Sequence, residues 1–199
     1  MQHERLKLLQ DYEMIRDILM HTDPLLKEEM PKFDFDNPIM NPVELYNDLA
    51  ETMIDAEGMG LSANQIGVRT RMFVMRAENV IGVINPKIID VSSEMVTLEE
   101  GCLSYPNLFV KIKRPKFIKV RFTHPDGTTE TKKFDGITAR VFQHELDHLN
   151  GIPHTKRANT YHMEQAKKLA AKINRKNGVL KPKNELSSEV QQMMDWLKA

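Results

Sequence analysis

The chain has 199 residues, 41% hydrophobic and 28% charged, which suits one globular domain with a substantial core. Its 28 basic and 28 acidic side chains cancel, so the net charge predicts no polyanionic partner. A single cysteine excludes an intramolecular disulfide, and no apolar run is long enough for a membrane span or a signal peptide. These features predict a soluble, cytoplasmic protein with no membrane partner.

The N-terminal part of the chain contains one clear helix signal. Residues 6–19 predict a short helix, and the prolines and acids that follow predict a loop. Asn41 then fits an N-cap, because Pro42 stands at the first helical position and Glu44 three residues after the cap. We expect the helix that begins here to end at Gly58 in a left-handed conformation.

Short β-rich runs occupy the middle of the chain. They are residues 71–75, 80–84, 87–91, 95–98, 117–122 and 129–134. The segment His124-Pro125-Asp126-Gly127 between the last two is typical of a hairpin turn. The runs therefore predict a mostly antiparallel arrangement.

Helices follow the strands. Residues 136–150 form one, with Asp135 as a cap and Gly151 as its stop, and residues 160–177 form another. The predicted fold is α+β, with mixed, mostly antiparallel sheets around a central helix and further helices towards both ends.

The last part of the chain predicts a separate appendage. After a linker that contains Pro182, Ser188 and Gln191 fit a capping box for a short amphipathic helix. Its apolar stripe consists of Val190, Met193, Met194 and Leu197. We therefore divide the chain into a domain of residues 1–178 and an appendage of residues 179–199.

The string HELDH at residues 144–148 is the most informative motif. On a helix, His144 and His148 share one face and can bind one ion, while Glu145 can reach a metal-bound water without being a ligand. Such a pentad also arises by chance, but this one lies in an independently predicted helix. The motif therefore indicates a metal site.

A catalytic site of this kind needs a third protein ligand and an open position. His154 and His162 follow the pentad, but Gly151 and Pro153 break the spacing that metalloproteases with this motif use. Upstream lies the sole cysteine, Cys102. A lone cysteine is also commonly a buried small hydrophobe, so the residues alone leave its role open.

Three segments together resemble the signature motifs of the peptide deformylase family. They are GMGLSANQIG (58–67), EGCLS (100–104) and QHELDHLNG (143–151). They match in order and spacing, and the resemblance covers about residues 42–152. It implies a hydrolase that removes the formyl group from the N-terminal formyl-methionine of newly made polypeptides and releases formate.

The resemblance also implies the roles of individual residues. The metal ligands are Cys102, His144 and His148, and Glu145 is the acid/base. Gln65 and the main-chain N–H of Leu103 stabilise the oxyanion. The native ion is Fe(II), and Zn(II), Ni(II) or Co(II) can occupy the site.

Substrate contacts are expected at glycines and at one stripe of the metal-binding helix. Gly58 and Gly60 let the backbone approach the substrate, although they also fit ordinary turns. Ile137 and Val141 precede His144 on one helical face and can line a slot for methionine, with Gly101 and Leu103 opposite, but core packing explains the helical residues equally well.

Two sites depart from the family pattern, and the N-terminal segment matches it only loosely. Ser62 stands where alanine is common, and we expect no consequence. After the pentad the chain continues Gly151-Ile152-Pro153-His154, where the family often has Gly-[Val/Ile]-Leu-Phe. This second departure affects the outer loops and not the metal site.

The helix of residues 160–177 is basic, and Glu164 is the sole acid between Lys156 and Lys183. Solvated surface is the usual explanation for such a run. The resemblance implies a second one, contact with ribosomal RNA. Two other functions stay open: an HExxH metallopeptidase, which needs a downstream ligand, and a non-catalytic metal-binding protein, which needs four ligands.

Overall fold

The computed structural model describes residues 15–177. The strands in this part of the chain are β1 (Gly60–Ser62), β2 (Met72–Arg76), β3 (Val80–Val91), β4 (Met95–Cys102), β5 (Tyr105–Pro115), β6 (Phe117–Thr123) and β7 (Thr129–Asp135). The α-helices are α1 (Pro42–Asp55), α2 (Gly136–Leu149) and α3 (Thr160–Asn177). Short 3-10 turns span Pro24–Lys27, Ala63–Ile66 and His154–Arg157. None of the described helices is long and apolar enough to cross a membrane.

A five-stranded sheet of order β1-β2-β3-β6-β7 lies between α1 and α2. Met72 and Val74 of β2 pack in the cluster that contains α1, while Phe73 and Met75 pack in the cluster that contains α2. This coverage of both faces explains why β2 is an unbroken apolar run. Strands β4 and β5 form a separate two-stranded hairpin.

The predicted α+β fold is confirmed. Every strand pair within residues 15–177 is antiparallel, so the parallel pairing that a mixed sheet implies does not occur there. The sheet covers one side of α2, and the β4–β5 hairpin contributes Cys102 on another. Helix α2, which contains the HELDH pentad, is therefore central as predicted.

The prediction for the N-terminal segment is wrong where it can be compared. Residues 15–19 are not helical. Instead the backbone N–H of Leu19 donates to the carbonyl of Gln65, and that of His21 donates to the carbonyl of Ser104. These bonds to distant parts of the chain replace the local bonds that a helix would need. Residues 6–14 lie outside the described part of the chain.

Helix α1 begins as predicted but ends differently. The Asn41 side chain accepts hydrogen bonds from the backbone of Val43 and Glu44 at 2.9 and 3.3 Å. The left-handed residue at the other end is Glu57, with φ 54°, and not Gly58. A Cβ on Gly58 would lie 2.9 Å from Cδ1 of Leu103, so this glycine allows close packing.

Three strands differ from the sequence prediction. Strand β1 lies outside the predicted runs. The runs 80–84 and 87–91 belong to one strand, β3, which bends at Asn85 with φ 51°. The Asn85 amide bonds both backbone groups of Phe33 at 2.9 Å and stabilises the bend. Strand β5 was not predicted, although its residues alternate between exposed and buried positions from Val110 onwards.

The two C-terminal helix predictions within the described residues are confirmed. Helix α2 ends before Gly151, whose φ of 66° is left-handed, while Asp135 caps its start without a side-chain hydrogen bond. Helix α3 has the predicted bounds. The helix predicted from Ser188 and the boundary at residue 178 lie outside the described residues and stay predictions.

Candidate metal centre

Three potential metal ligands converge at one point. Helix α2 presents His144 and His148 one turn apart, and Cys102 lies at the end of β4. The sulfur of Cys102 is 3.2 Å from Nε2 of His148, and the three ligand atoms lie within 4.8 Å of one another. Two imidazoles and a sulfur at this spacing suit one divalent ion with an open coordination position.

The orientation of His144 is set by Glu100. Nδ1 of His144 is hydrogen-bonded to Oε2 of Glu100 at 3.0 Å, which leaves Nε2 for an ion. Burial lowers the pKa of this ring, but its bonds to Cys102 and Glu100 outweigh burial and raise the pKa to about 10. Burial also lowers the pKa of His148, which favours its neutral form. Both rings can bind an ion only through a deprotonated nitrogen.

Glu100 belongs to a buried ion-pair cluster formed by Glu100, Arg114, Arg140 and Asp147. Arg114 contacts Glu100 at 2.6 Å and Asp147 at 2.8 Å, and Arg140 contacts Glu100 at 2.6 Å. Burial alone would raise the pKa of Glu100, but hydrogen bonds from His144 and Arg114 lower it well below its usual range. The cluster holds β4 and β5 against α2, and so holds Cys102 near the two histidines.

Glu145 lies beside the ligands and is not one of them. It is 3% exposed, and its Oε2 accepts a hydrogen bond from the Ser62 hydroxyl at 2.6 Å. Burial raises the pKa of this carboxyl, and the charge of His144 and the bond from Ser62 offset that only in part. A carboxyl with a raised pKa is suited to accept and return a proton.

Gln65 presents its amide nitrogen towards the cysteine. Its Oε1 accepts a bond from the Ser62 backbone at 2.9 Å, and its Nε2 donates to the Ser104 hydroxyl at 3.1 Å. The same nitrogen is 3.8 Å from the sulfur of Cys102. Since the amide oxygen is engaged, the donor side faces the metal centre.

Almost all of the predicted site residues line one pocket of about 680 Å³. They are Gly58, Gly60, Gln65, Gly101, Cys102, Leu103, Ile137, Val141, His144 and Glu145. His148 does not line this pocket. All of the expected catalytic and substrate-binding positions and two of the three metal positions thus line one cavity.

Ile137 lies in the pocket wall and not in the core. This side chain is 55% exposed, so it is not a core residue. Phe109 of β5, which is 52% exposed, lines the same pocket. A Cβ on Gly101 would lie 2.7 Å from the Phe109 ring, so that glycine makes room for the ring. Phe109 was missed because β5 was missed.

Other contributing residues were also missed. Glu100 precedes Gly101 in the EGCLS motif and lies within β4, and an acidic side chain two residues before Cys102 was a usable signal. Arg114 gave none, since only the β4–β5 hairpin brings it to Glu100. Ser62 was expected to have no consequence, yet it bonds Glu145 directly.

The downstream histidines do not join the ligand group found in residues 15–177. His154 is 1% exposed and packs edge-on against Tyr105, with ring centroids 4.9 Å apart. Its ring centroid is 5.6 Å from that of His144. His162 lies on α3. Neither supplies the third ligand that a metallopeptidase would need.

Comparisons with known proteins agree with this site. A family model described as polypeptide deformylase matches residues 15–164. The peptide deformylase of Thermotoga petrophila is 44% identical over 132 residues, which cover 65% of this chain and 79% of the relative. That of Wolbachia pipientis wMel is 43% identical over 144 residues, which cover 65% and 80%.

Solved structures show the same relationship. The crystal structure of peptide deformylase from Thermotoga maritima is 37% identical, with a TM-score of 0.70 over 73% of this chain and 98% of that one. A deformylase from Acinetobacter baumannii is 28% identical, with a TM-score of 0.68 over 72% and 98%. The motifs, the Cys-His-His metal site and these matches agree that the chain belongs to the peptide deformylase family.

Proposed function

We propose that Cys102, His144, His148 and Glu145 together perform the deformylase reaction, the removal of the formyl group from the N-terminus of nascent peptides. The observation that carries this proposal is their convergence: three ligand atoms within 4.8 Å and a buried carboxyl beside them. A non-catalytic metal site would have no use for that carboxyl. The site therefore contains the metal ligands and the acid/base that the deformylase reaction requires.

The residues suit one divalent ion. Bound by one sulfur and two nitrogens, such an ion supplies Lewis acidity and lowers the pKa of a water molecule. The sulfur softens the ligand set, which is compatible with Fe(II), Zn(II), Ni(II) or Co(II). We propose Fe(II) as the native ion, because the family resemblance implies it.

Proton transfer is assigned to Glu145. It takes a proton from the attacking water and returns one to the departing amine, so that formate and a free N-terminus result. Gln65 Nε2 and the Leu103 N–H donate to the negative charge that develops on the formyl oxygen. The engaged amide oxygen of Gln65 supports this role, since it leaves the nitrogen facing the site.

Methionine selection is assigned to the pocket wall. Ile137 and Val141 line an apolar slot, and Gly58, Gly60 and Gly101 lie in the same pocket, where they leave room for Leu103, Glu145 and Phe109. The Acinetobacter baumannii deformylase structure contains bound Met-Ala-Ser. We therefore propose formyl-Met-Ala-Ser as a substrate of this chain.

Formate release from formyl-Met-Ala-Ser tests the function and the metal together. Protein purified anaerobically with iron is expected to release stoichiometric formate and to lose activity after brief exposure to peroxide, because a ferrous thiolate site is oxidised readily. The zinc form serves as the control and should resist peroxide. Absence of formate release from every metal form would contradict the proposed function.

We also propose that α3 contacts ribosomal RNA in the cytoplasm, where nascent chains emerge. Its exposed basic residues are Lys167, Lys168, Lys172, Arg175 and Lys176. If they bind phosphates, ribosome affinity falls steeply as salt rises.

Co-sedimentation with ribosomes tests this contact. Replacement of the five residues by glutamine should abolish co-sedimentation and leave hydrolysis of free formyl peptide intact. A matched control replaces five exposed basic residues of the sheet: Lys87, Lys119, Arg121, Lys132 and Lys133. Equal loss of binding in both variants, or no binding by the unmodified chain at low salt, would show that α3 is ordinary solvated surface.

A further inference from the structure

Ser62 lies at the end of β1, next to the carboxylate of Glu145. Ser62 is 0% exposed, and its hydroxyl donates to Oε2 of Glu145 at 2.6 Å. We infer that Ser62 is a positioning residue that fixes the carboxylate of Glu145 in its working orientation. This inference rests on the proton-carrying role proposed for Glu145.

The hydroxyl of Ser62 has one proton and two acceptors within reach, and both belong to Glu145. The main-chain oxygen is 3.2 Å away, whereas Oε2 is 2.6 Å away. Only the 2.6 Å distance lies within the usual range for an O–H···O hydrogen bond, so the proton goes to Oε2. Ser62 thus restrains the Glu145 side chain against rotation relative to its own backbone.

The second oxygen of the carboxylate consequently faces the pocket. A Cβ placed on Gly60 would lie 2.5 Å from Oε1 of Glu145, and both residues line the cavity. Because Oε2 is held by Ser62, Oε1 is the oxygen left to exchange a proton with water and amine. A carboxylate that rotates freely would present this oxygen for only part of the time, which lowers the rate of the chemical step.

The backbone of Ser62 has a second contact that makes the side chain easy to test in isolation. Its main-chain N–H donates to Oε1 of Gln65 at 2.9 Å. A substitution at this position keeps that N–H and removes only the hydroxyl. Alanine is common at this position in the family pattern, so Ser62→Ala is expected to fold.

Steady-state kinetics of the metal-loaded enzyme test the inference. With formyl-Met-Ala-Ser, Ser62→Ala should lower kcat by about tenfold, keep KM within about twofold and retain stoichiometric metal. Ser62→Thr keeps the donor and should restore most of the lost kcat. The matched control is Ser92→Ala: Ser92 is also buried, its hydroxyl donates to the Glu94 carbonyl at 2.8 Å, and it lies outside the pocket, so kcat should not change.

Thermal unfolding provides a second measurement that does not depend on activity. If the hydrogen bond exists, Ser62→Ala should lower Tm by less in a Glu145→Ala background than in the unmodified chain. Strictly additive Tm shifts, or an unchanged kcat in fully metallated Ser62→Ala, would overturn the inference. If Glu145→Gln stays active, the proposed role of Glu145 is wrong, and the inference about Ser62 fails with it. If Glu145→Gln is inactive while Ser62→Ala is fully active, only the positioning role of Ser62 is refuted.

Discussion

Two groups of side chains around α2, the charged flank and the apolar flank, serve the site in different ways. The charged flank is the buried ion-pair cluster, in which Glu100, Arg114, Arg140 and Asp147 lie within 2.6 to 2.8 Å of their partners. The apolar flank is the apolar part of the pocket wall, which includes the exposed side chain of Ile137, and Glu100 and Arg140 line the same pocket. The charged flank orients the metal ligands, and the apolar flank offers a surface that a substrate side chain can cover.

This difference has an energetic consequence. Each charge of the cluster is buried beside an opposite charge, and Glu100 is the shared partner of Arg114 and Arg140, so its removal costs about 3–5 kcal/mol. The apolar part of the pocket wall has no such buried pairing, because Ile137 is already half exposed. Substitutions on the charged flank should therefore affect metal binding and stability, whereas substitutions on the apolar flank should affect substrate choice.

The largest effect is expected at Cys102, which lies on the β4–β5 hairpin and completes the ligand set with the two histidines of α2. Cys102→Ala removes one of three ligands and should abolish stoichiometric metal binding and turnover. Cys102→Asp, which restores a weaker oxygen ligand, should retain some metal. Metal analysis after dialysis measures both variants, and an unchanged metal content in Cys102→Ala would rule out sulfur ligation.

A smaller but still large effect is expected at Glu100. Glu100→Ala should lower the free energy of unfolding by about 3–5 kcal/mol and weaken metal affinity by about 10- to 100-fold, because Arg140 and His144 lose their acidic partner and Arg114 keeps only Asp147. Denaturant unfolding and chelator competition measure the two effects. Glu94→Ala is the control, since its pair with Lys116 is exposed and contributes little to stability. Equal effects of the two variants would contradict a special role for the cluster.

The smallest of the three effects is expected on the apolar flank. Ile137→Ala should reduce the preference for formyl-Met-Ala-Ser over formyl-Ala-Ala-Ser by about tenfold, with metal content and Tm unchanged, because only the longer side chain reaches this wall. Ile89→Ala on β3 is a close match, as Ile89 is 50% exposed and lies outside the pocket. A similar change in preference for both variants would show that Ile137 does not contact substrate.

Local patterns predicted the site better than its surroundings. The HELDH pentad is contained in one helix, so spacing alone placed His144, Glu145 and His148 on one turn. Asn41 and Pro42 likewise marked the start of α1 without help from the rest of the fold. Such features depend only on residues that are close in the sequence, so they can be recognised without knowledge of the fold.

The supporting contacts depend on long-range pairing and were not predictable in the same way. Arg114 reaches Glu100 because β4 pairs with β5, and β5 had not been recognised. Ser62 and Glu145 are 83 positions apart and meet only after the sheet has packed on α2. Phe109 was missed for the same reason as Arg114.

The central claim is that Glu145 carries protons beside a metal that other residues hold. Glu145→Gln keeps the size of the side chain and removes its ability to accept a proton. The account predicts that this variant retains one metal ion per chain while kcat for formyl-Met-Ala-Ser falls by about 10²- to 10⁴-fold. Loss of the metal, or turnover close to that of the unmodified enzyme, would contradict it.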